Sequence, residues 1–81
     1  MNKTKAFEID MEEYDAKKVL LHVFEALEEK GYNPLNQLTG YLISGDPTYI
    51  TTHNNARRMV RKVFRDKLIE ELIASFIENE R

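Results

Sequence analysis

The sequence predicts an all-α fold, a compact bundle of about four to five short helices behind a flexible N-terminal tail. Three observations carry this. Apolar residues recur at helical spacing along most of the chain, glycines and Asx-proline pairs punctuate the stretches, and alternation that could suit a strand is confined to Phe7, Ile9 and Met11. One such strand has nothing to pair with, so residues 1–14 read as a flexible tail and residues 15–81 as a single helical domain.

Asp15 suits the N-cap of a first helix through Lys30, with Gly31 supplying a left-handed stop. On a helical wheel Ala16, Val19, Leu20, Val23, Phe24, Ala26 and Leu27 share one side, and Lys17, Lys18, Glu25, Glu28 and Glu29 the other. Leu21 points to the polar side, as an ordinary exposed apolar residue or as part of an interface. Asn33-Pro34 is a cap followed by proline at the first helical position, opening a second helix with Leu35, Leu38, Leu42 and Ile43 that stops at Gly45. Asp46-Pro47 repeats the signal before a single turn at Thr48, Tyr49 and Ile50, and a further start falls near Thr51 or Thr52. From Asn54 to Arg65, Ala56, Met59, Val60, Val63 and Phe64 oppose Arg57, Arg58, Arg61, Lys62 and Arg65, which predicts a third, basic amphipathic helix. Asp66 caps or bends the chain into a last helix. There Leu68, Ile69, Leu72, Ile73, Phe76 and Ile77 form a face wide enough for two neighbours, one of them a second subunit.

A chain of 81 residues makes one domain at most, and a core of that size rarely supplies more than about 3–5 kcal/mol. With no Cys, disulfides and Cys-rich zinc sites are excluded, and His22 and His53 have no local pattern to complete a metal site. Association of two copies is the remaining source of stability, so a homodimer is expected. Twelve Lys and Arg against 14 Asp and Glu give a formal charge of −2, which excludes a domain that is basic throughout. Lys3 and Lys5 precede no apolar run of the roughly 7–15 residues a secretory signal needs, and no stretch approaches the roughly 18 of a membrane span. A cytoplasmic protein without membrane insertion is expected.

Catalysis finds little support. Glu12, Glu13, Glu28, Glu29, Glu70, Glu71 and Glu78 lie in charged clusters or on polar faces, whereas a catalytic carboxylate needs a cleft that shifts its pKa. Ser44 and Ser75 lack a nucleophile-elbow sequence, neither His has an acid beside it in sequence, and three scattered glycines make no phosphate loop. No enzyme activity, cofactor or metal is expected. The basic face at Arg57, Arg58, Arg61, Lys62 and Arg65 permits a rival reading, a nucleic-acid-binding dimer with Asn54, Asn55, Arg57 and Arg58 opening a recognition helix. The plainer reading, cations on the solvent side pairing with Glu25, Glu70 or Glu71, is preferred because the chain is acidic overall, and nucleic acid is not an expected partner. Lys3-Thr4-Lys5 places a hydroxyl in the tail, where a phosphate adds about −1.5 to −2 charge and could draw the tail onto Arg57, Arg58 and Arg61.

The run from Glu28 to Ile50 closely resembles the signature of the IreB family of bacterial regulatory phosphoproteins. The residues that carry this are Gly31-Tyr32-Asn33-Pro34, Asn36-Gln37, Gly40-Tyr41, Ser44-Gly45-Asp46-Pro47 and Tyr49. The likeness continues through Glu25 to Lys30, Ala56-Arg57 and Ile69 to Leu72, and covers the chain from about Phe7 onward. The resemblance implies a small helical homodimer acting in cell-envelope stress or antibiotic-resistance signalling. Its implied partners are a PASTA-type Ser/Thr kinase, the opposing phosphatase and a downstream protein. It also implies phosphorylation at Thr4, the threonine three residues before Phe7. Two positions depart from the family pattern. Met1 stands where a second tail threonine is expected, and Thr51 stands where proline is common, which alters the approach to the third helix. The signature residues themselves either set the corners or, as with Asn36 and Gln37, face a partner.

Overall fold

The computed structural model describes residues 15–81, which form four α-helices and two single 3-10 turns, with no strand among them. The expectations placed on residues 1–14, a flexible tail with Thr4 within it, lie outside the described residues.

Helix α1 spans Ala16–Glu29 and is the element around which the others pack. Asp15 begins it by accepting a hydrogen bond from the Lys17 amide (3.3 Å). It ends in a paired closure in which Tyr32 N–H donates to Leu27 O and Gly31 N–H to Glu28 O, with Gly31 at φ +83°. Val19, Leu20, Val23, Ala26 and Leu27 are buried, as the wheel predicts, and Ala16 packs at the edge of the core. Leu21 is exposed.

Helix α2 spans Pro34–Ser44 and packs on α1. Its inward side is Leu38, Tyr41 and Leu42, with Tyr41 buried, whereas Leu35 and Ile43 face solvent. A 3-10 turn at Pro47–Tyr49 follows and delivers Ile50 to the core, and a second at His53–Asn55 leads to α3, Ala56–Val60. Helix α4, Arg65–Glu80, closes the fold.

The expected third helix from Asn54 to Arg65 is corrected here. Asn54 and Asn55 both adopt left-handed backbone (φ 54° and 62°), so helical geometry begins only at Ala56. It ends at Val60, and Phe64 is extended (φ −61°, ψ 143°) as the N-cap of α4. Across the break Ala56 and Val60 on α3 and Leu68 on α4 all join the core, and both helices pack on α1. Three calls change with it. The five cations do not share one helix face, Phe64 is solvent-exposed instead of buried, and Arg65 belongs to α4.

Candidate functional site

Three surfaces compete to be the working part of this molecule: the corners built by the signature residues, the basic segment after them, and the outer side of α4.

The corners are held by polar atoms placed for backbone groups that helix ends leave unpaired. Asn33 accepts from the Asn36 amide (3.1 Å) and starts α2, with Pro34 needing no partner at the first helical position. Ser44 donates its hydroxyl to Gly40 O (2.7 Å) and accepts from Asp46 N–H (3.0 Å), so it ties the end of α2 to the next turn. Gly45, at φ +78°, supplies the left-handed residue between them. Asp46 Oδ1 accepts from both the backbone N–H and the hydroxyl of Thr48 (3.0 and 2.7 Å). Those two bonds, the hydroxyl first, hold the Asp46 carboxyl below its ordinary value of 3.8, and the charge of Arg57 adds a smaller pull the same way.

Gln37 reaches across to donate to Tyr49 O (2.8 Å). Gly40 faces the Tyr49 ring so closely that an added Cβ would overlap its edge atoms. Gly40 is thus present for close approach and not for an unusual φ. Of the thirteen signature positions, Gly31, Asn33, Pro34, Gln37, Gly40, Tyr41, Ser44, Gly45, Asp46, Pro47 and Tyr49 are accounted for by caps, packing or these bonds. Tyr32 and the Asn36 side chain remain on the surface.

The basic segment divides by use. Arg57 donates its Nε–H to Ile50 O (2.8 Å), and Arg65 donates to Leu42 O (3.0 Å) at the C-terminal end of α2, where a cation also suits the helix dipole. Both guanidiniums therefore brace the corners. Neither was identifiable as such from sequence, because each acts on a carbonyl far along the chain. Arg58 and Arg61 pair with no described carboxylate, so for these two the expected pairing with Glu25, Glu70 or Glu71 does not form. Lys67 takes Glu70 instead (3.5 Å). Two adjoining hollows share Arg58 and Arg61: one of about 300 Å³ completed by Lys62, the other of about 160 Å³ completed by Thr52, Asn55 and Arg57.

A recognition helix is not what these residues form. Helix α3 is five residues long, Asn54 donates its amide to Glu29 Oε1 (3.2 Å), and Arg57 is spent on Ile50. Neither His has an acid beside it in sequence, but the fold gives His53 one: its Nε2 lies 2.7 Å from Glu29 Oε1. His22 Nε2 lies 2.7 Å from Asn54 O, so both histidines fasten the left-handed Asn54-Asn55 turn to α1. The two serine hydroxyls are engaged as well, Ser44 on Gly40 O and Ser75 on Glu71 Oε2. Among the described residues no group of three or more His, Asp or Glu could hold a metal ion, and no helix is long and apolar enough to cross a membrane.

The outer side of α4 is the plainest feature. Of the six apolar residues expected to share its wide face only Leu68 is buried, while Ile69, Leu72, Ile73, Phe76 and Ile77 are exposed, Phe76 by 62%. A monomer rarely leaves so continuous an apolar stripe in water.

Comparison with known proteins places the chain in a family. The model of a family described as IreB regulatory phosphoprotein matches residues 2–78. A protein of Ruminiclostridium cellulolyticum named UPF0297 protein is 52% identical over 80 residues, covering 98% of this chain and 91% of its own. A protein of the same name from Acetivibrio thermocellus is 50% identical over 78 residues, covering 95% and 87%. The matched span takes in every capped corner, the basic segment and nearly all of α4 as well as Thr4, and on that span this chain belongs to the IreB family of regulatory phosphoproteins.

Proposed function

We propose that this protein is a cytoplasmic, homodimeric, non-enzymatic regulator, phosphorylated at Thr4 by a PASTA-type Ser/Thr kinase and reset by its phosphatase. It acts by binding a downstream protein in cell-envelope stress or antibiotic-resistance signalling. The observation that carries the reading is the family match from residue 2, which includes the segment holding Thr4 between Lys3 and Lys5. The described body supports it in a second way. Asn33, Gln37, Ser44 and Asp46 are committed to holding turns, and the body also presents a cationic surface at Arg58 and Arg61 and an apolar helix face, which suit binding and not bond-making.

The homodimer rests on α4. Its stripe of exposed apolar residues lies along one helix, burial stabilises by about 25 cal/mol per Å² of apolar surface covered, and a second copy presents the same stripe.

The test is intact-mass measurement after incubation with the catalytic domain of a PASTA-type kinase and ATP. Wild type is expected to gain one phosphate and Thr4→Ala none. Absence of phosphate on the wild type, or its persistence in Thr4→Ala, overturns the assignment.

A further inference from the structure

The two cationic hollows share Arg58 and Arg61, which take no part in the corner scaffold; Arg57, which does, edges only the smaller one. We infer that they form a binding site for a phosphate monoester, and that its occupant is the chain's own segment 1–14 carrying phosphate on Thr4. The inference rests on the proposed phosphorylation and adds where the phosphate goes.

Charge segregation is the first argument. From Pro47 to Arg65 the chain has five cations and no carboxylate, whereas residues 6–14 have Glu8, Asp10, Glu12 and Glu13 and no cation. Lys3 and Lys5 against those four acids make residues 1–14 formally −2, the whole net charge of the protein, so residues 15–81 sum to zero. The acidic segment and the basic surface are thus complementary before any phosphate is added, and a phosphate roughly doubles the attraction.

The second argument is that the donors are available. Arg57 and Arg65 are held by backbone carbonyls, but Arg58 and Arg61 meet no described carboxylate and line both hollows. Guanidinium forks match phosphate oxygens bidentately, and Thr52 and Asn55 line the smaller hollow with further hydrogen-bonding groups.

The third is reach. Thr4 precedes Asp15 by eleven residues, which span at most about 36–40 Å, while α1 is only about 21 Å long by its rise per residue. Helix α3 packs directly on α1, so the segment can reach its surface from the start of α1.

The experiment adds synthetic peptides of residues 1–14, with and without phosphate on Thr4, to isotope-labelled full-length protein and follows backbone amide shifts by NMR. Because the phosphopeptide is made chemically, the outcome does not depend on whether a kinase acts on the protein. The phosphopeptide is expected to bind roughly tenfold more tightly than the plain peptide, with shifts centred on Thr52, Asn55, Arg58 and Arg61 and affinity falling as salt rises. Arg58→Glu with Arg61→Glu is expected to abolish the difference. Arg58→Gln with Arg61→Gln, which keeps the length of the side chains, tests the same point should the double reversal fail to fold. Equal affinity for the two peptides, or shifts centred on α4, overturns the proposal. So does duplex DNA displacing the phosphopeptide from Arg58 and Arg61 at equal concentration, which would identify the hollows as a nucleic-acid surface.

Discussion

The corner region from Gly31 to Ile50 and the helix α4 are built on opposite principles. In the corners four polar side chains are committed to specific backbone groups: Asn33, Ser44 and Asp46 serve N–H groups close by, and Gln37 serves a carbonyl twelve residues away. Along α4 Arg65 at the first position reaches Leu42 O, but beyond it the side-chain bonds stay within the helix, Lys67 to Glu70 and Ser75 to Glu71, and Leu68 alone is buried. One region satisfies its polar groups within a single chain, and the other leaves an apolar stripe in water. The contrast ties stability of the fold to the corners and to the first turn of α4, and marks the remainder of α4 as the surface the proposed association would use.

The largest expected effect separates the two ends of α4. Leu68→Ala should destabilise the protein by about 2–5 kcal/mol, the range for emptying a fully buried leucine site, read from the shift in urea midpoint. Ile73→Asp, one helical turn and a residue further on, replaces a side chain that is 58% exposed. In an isolated chain it should shift stability by about 0.5 kcal/mol or less. In a dimer joined through α4 it should abolish association, seen as conversion to monomer in sedimentation and as loss of the concentration dependence of Tm. A large loss of monomer stability in Ile73→Asp, or unchanged sedimentation, breaks the division drawn here.

How much of this was legible in the sequence follows the range over which each signal acts. The N-caps Asp15, Asn33 and Asp46, the glycine stops and the core face of α1 act within a turn or two, and the structure has them where local rules place them. The break of the basic helix was not legible. Asparagine tolerates left-handed backbone but does not require it, and the run from Ala56 to Phe64 contains no glycine or proline. The break accompanies the packing of both α3 and α4 on α1, a tertiary arrangement that no local signal announces. The roles of Arg57 and Arg65, the His53–Glu29 pair and the Gly40–Tyr49 contact are likewise tertiary, each joining residues at least seven positions apart. The basic hollows fall between these cases: their cations were visible as a cluster, but which of them are spent on carbonyls was not.

A middle-sized effect sharpens the account of the corners. Glycine inside a helix ordinarily costs about 0.5–1 kcal/mol relative to alanine, so Gly40→Ala in α2 should stabilise the protein if helix propensity decided the matter. Here the added Cβ meets the Tyr49 ring, and overpacking of that kind costs about 1–3 kcal/mol. Gly40→Ala should therefore be destabilising in the wild type and become stabilising in a Tyr49→Ala background, where the obstruction is gone. Thermal unfolding of the two single variants and the double variant measures the reversal. The same sign in both backgrounds would mean that Gly40 is not held there by Tyr49.

The smallest expected effect concerns Asp46, and its sign follows from the two Thr48 bonds. They favour the carboxylate, so the folded-state pKa lies below the 3.8 of the unfolded chain. A group shifted in that direction contributes stability that is fully present above the unfolded value and is lost as pH falls through the lowered one. The contribution of Asp46 should therefore be constant near neutral pH and fade only below about 3.8. Because the group is fully exposed, the change is small and partly screened by salt. Asp46→Asn keeps an oxygen that can accept from the Thr48 amide and so preserves the cap while removing the charge. Urea unfolding of wild type and Asp46→Asn from pH 7 down to about pH 2 should give curves that run parallel to near pH 4 and then converge. Curves that stay parallel throughout would show that the turn at Pro47–Tyr49 depends on the shape of the cap and not on its charge, leaving Arg57 with the Ile50 carbonyl as its only role at this corner.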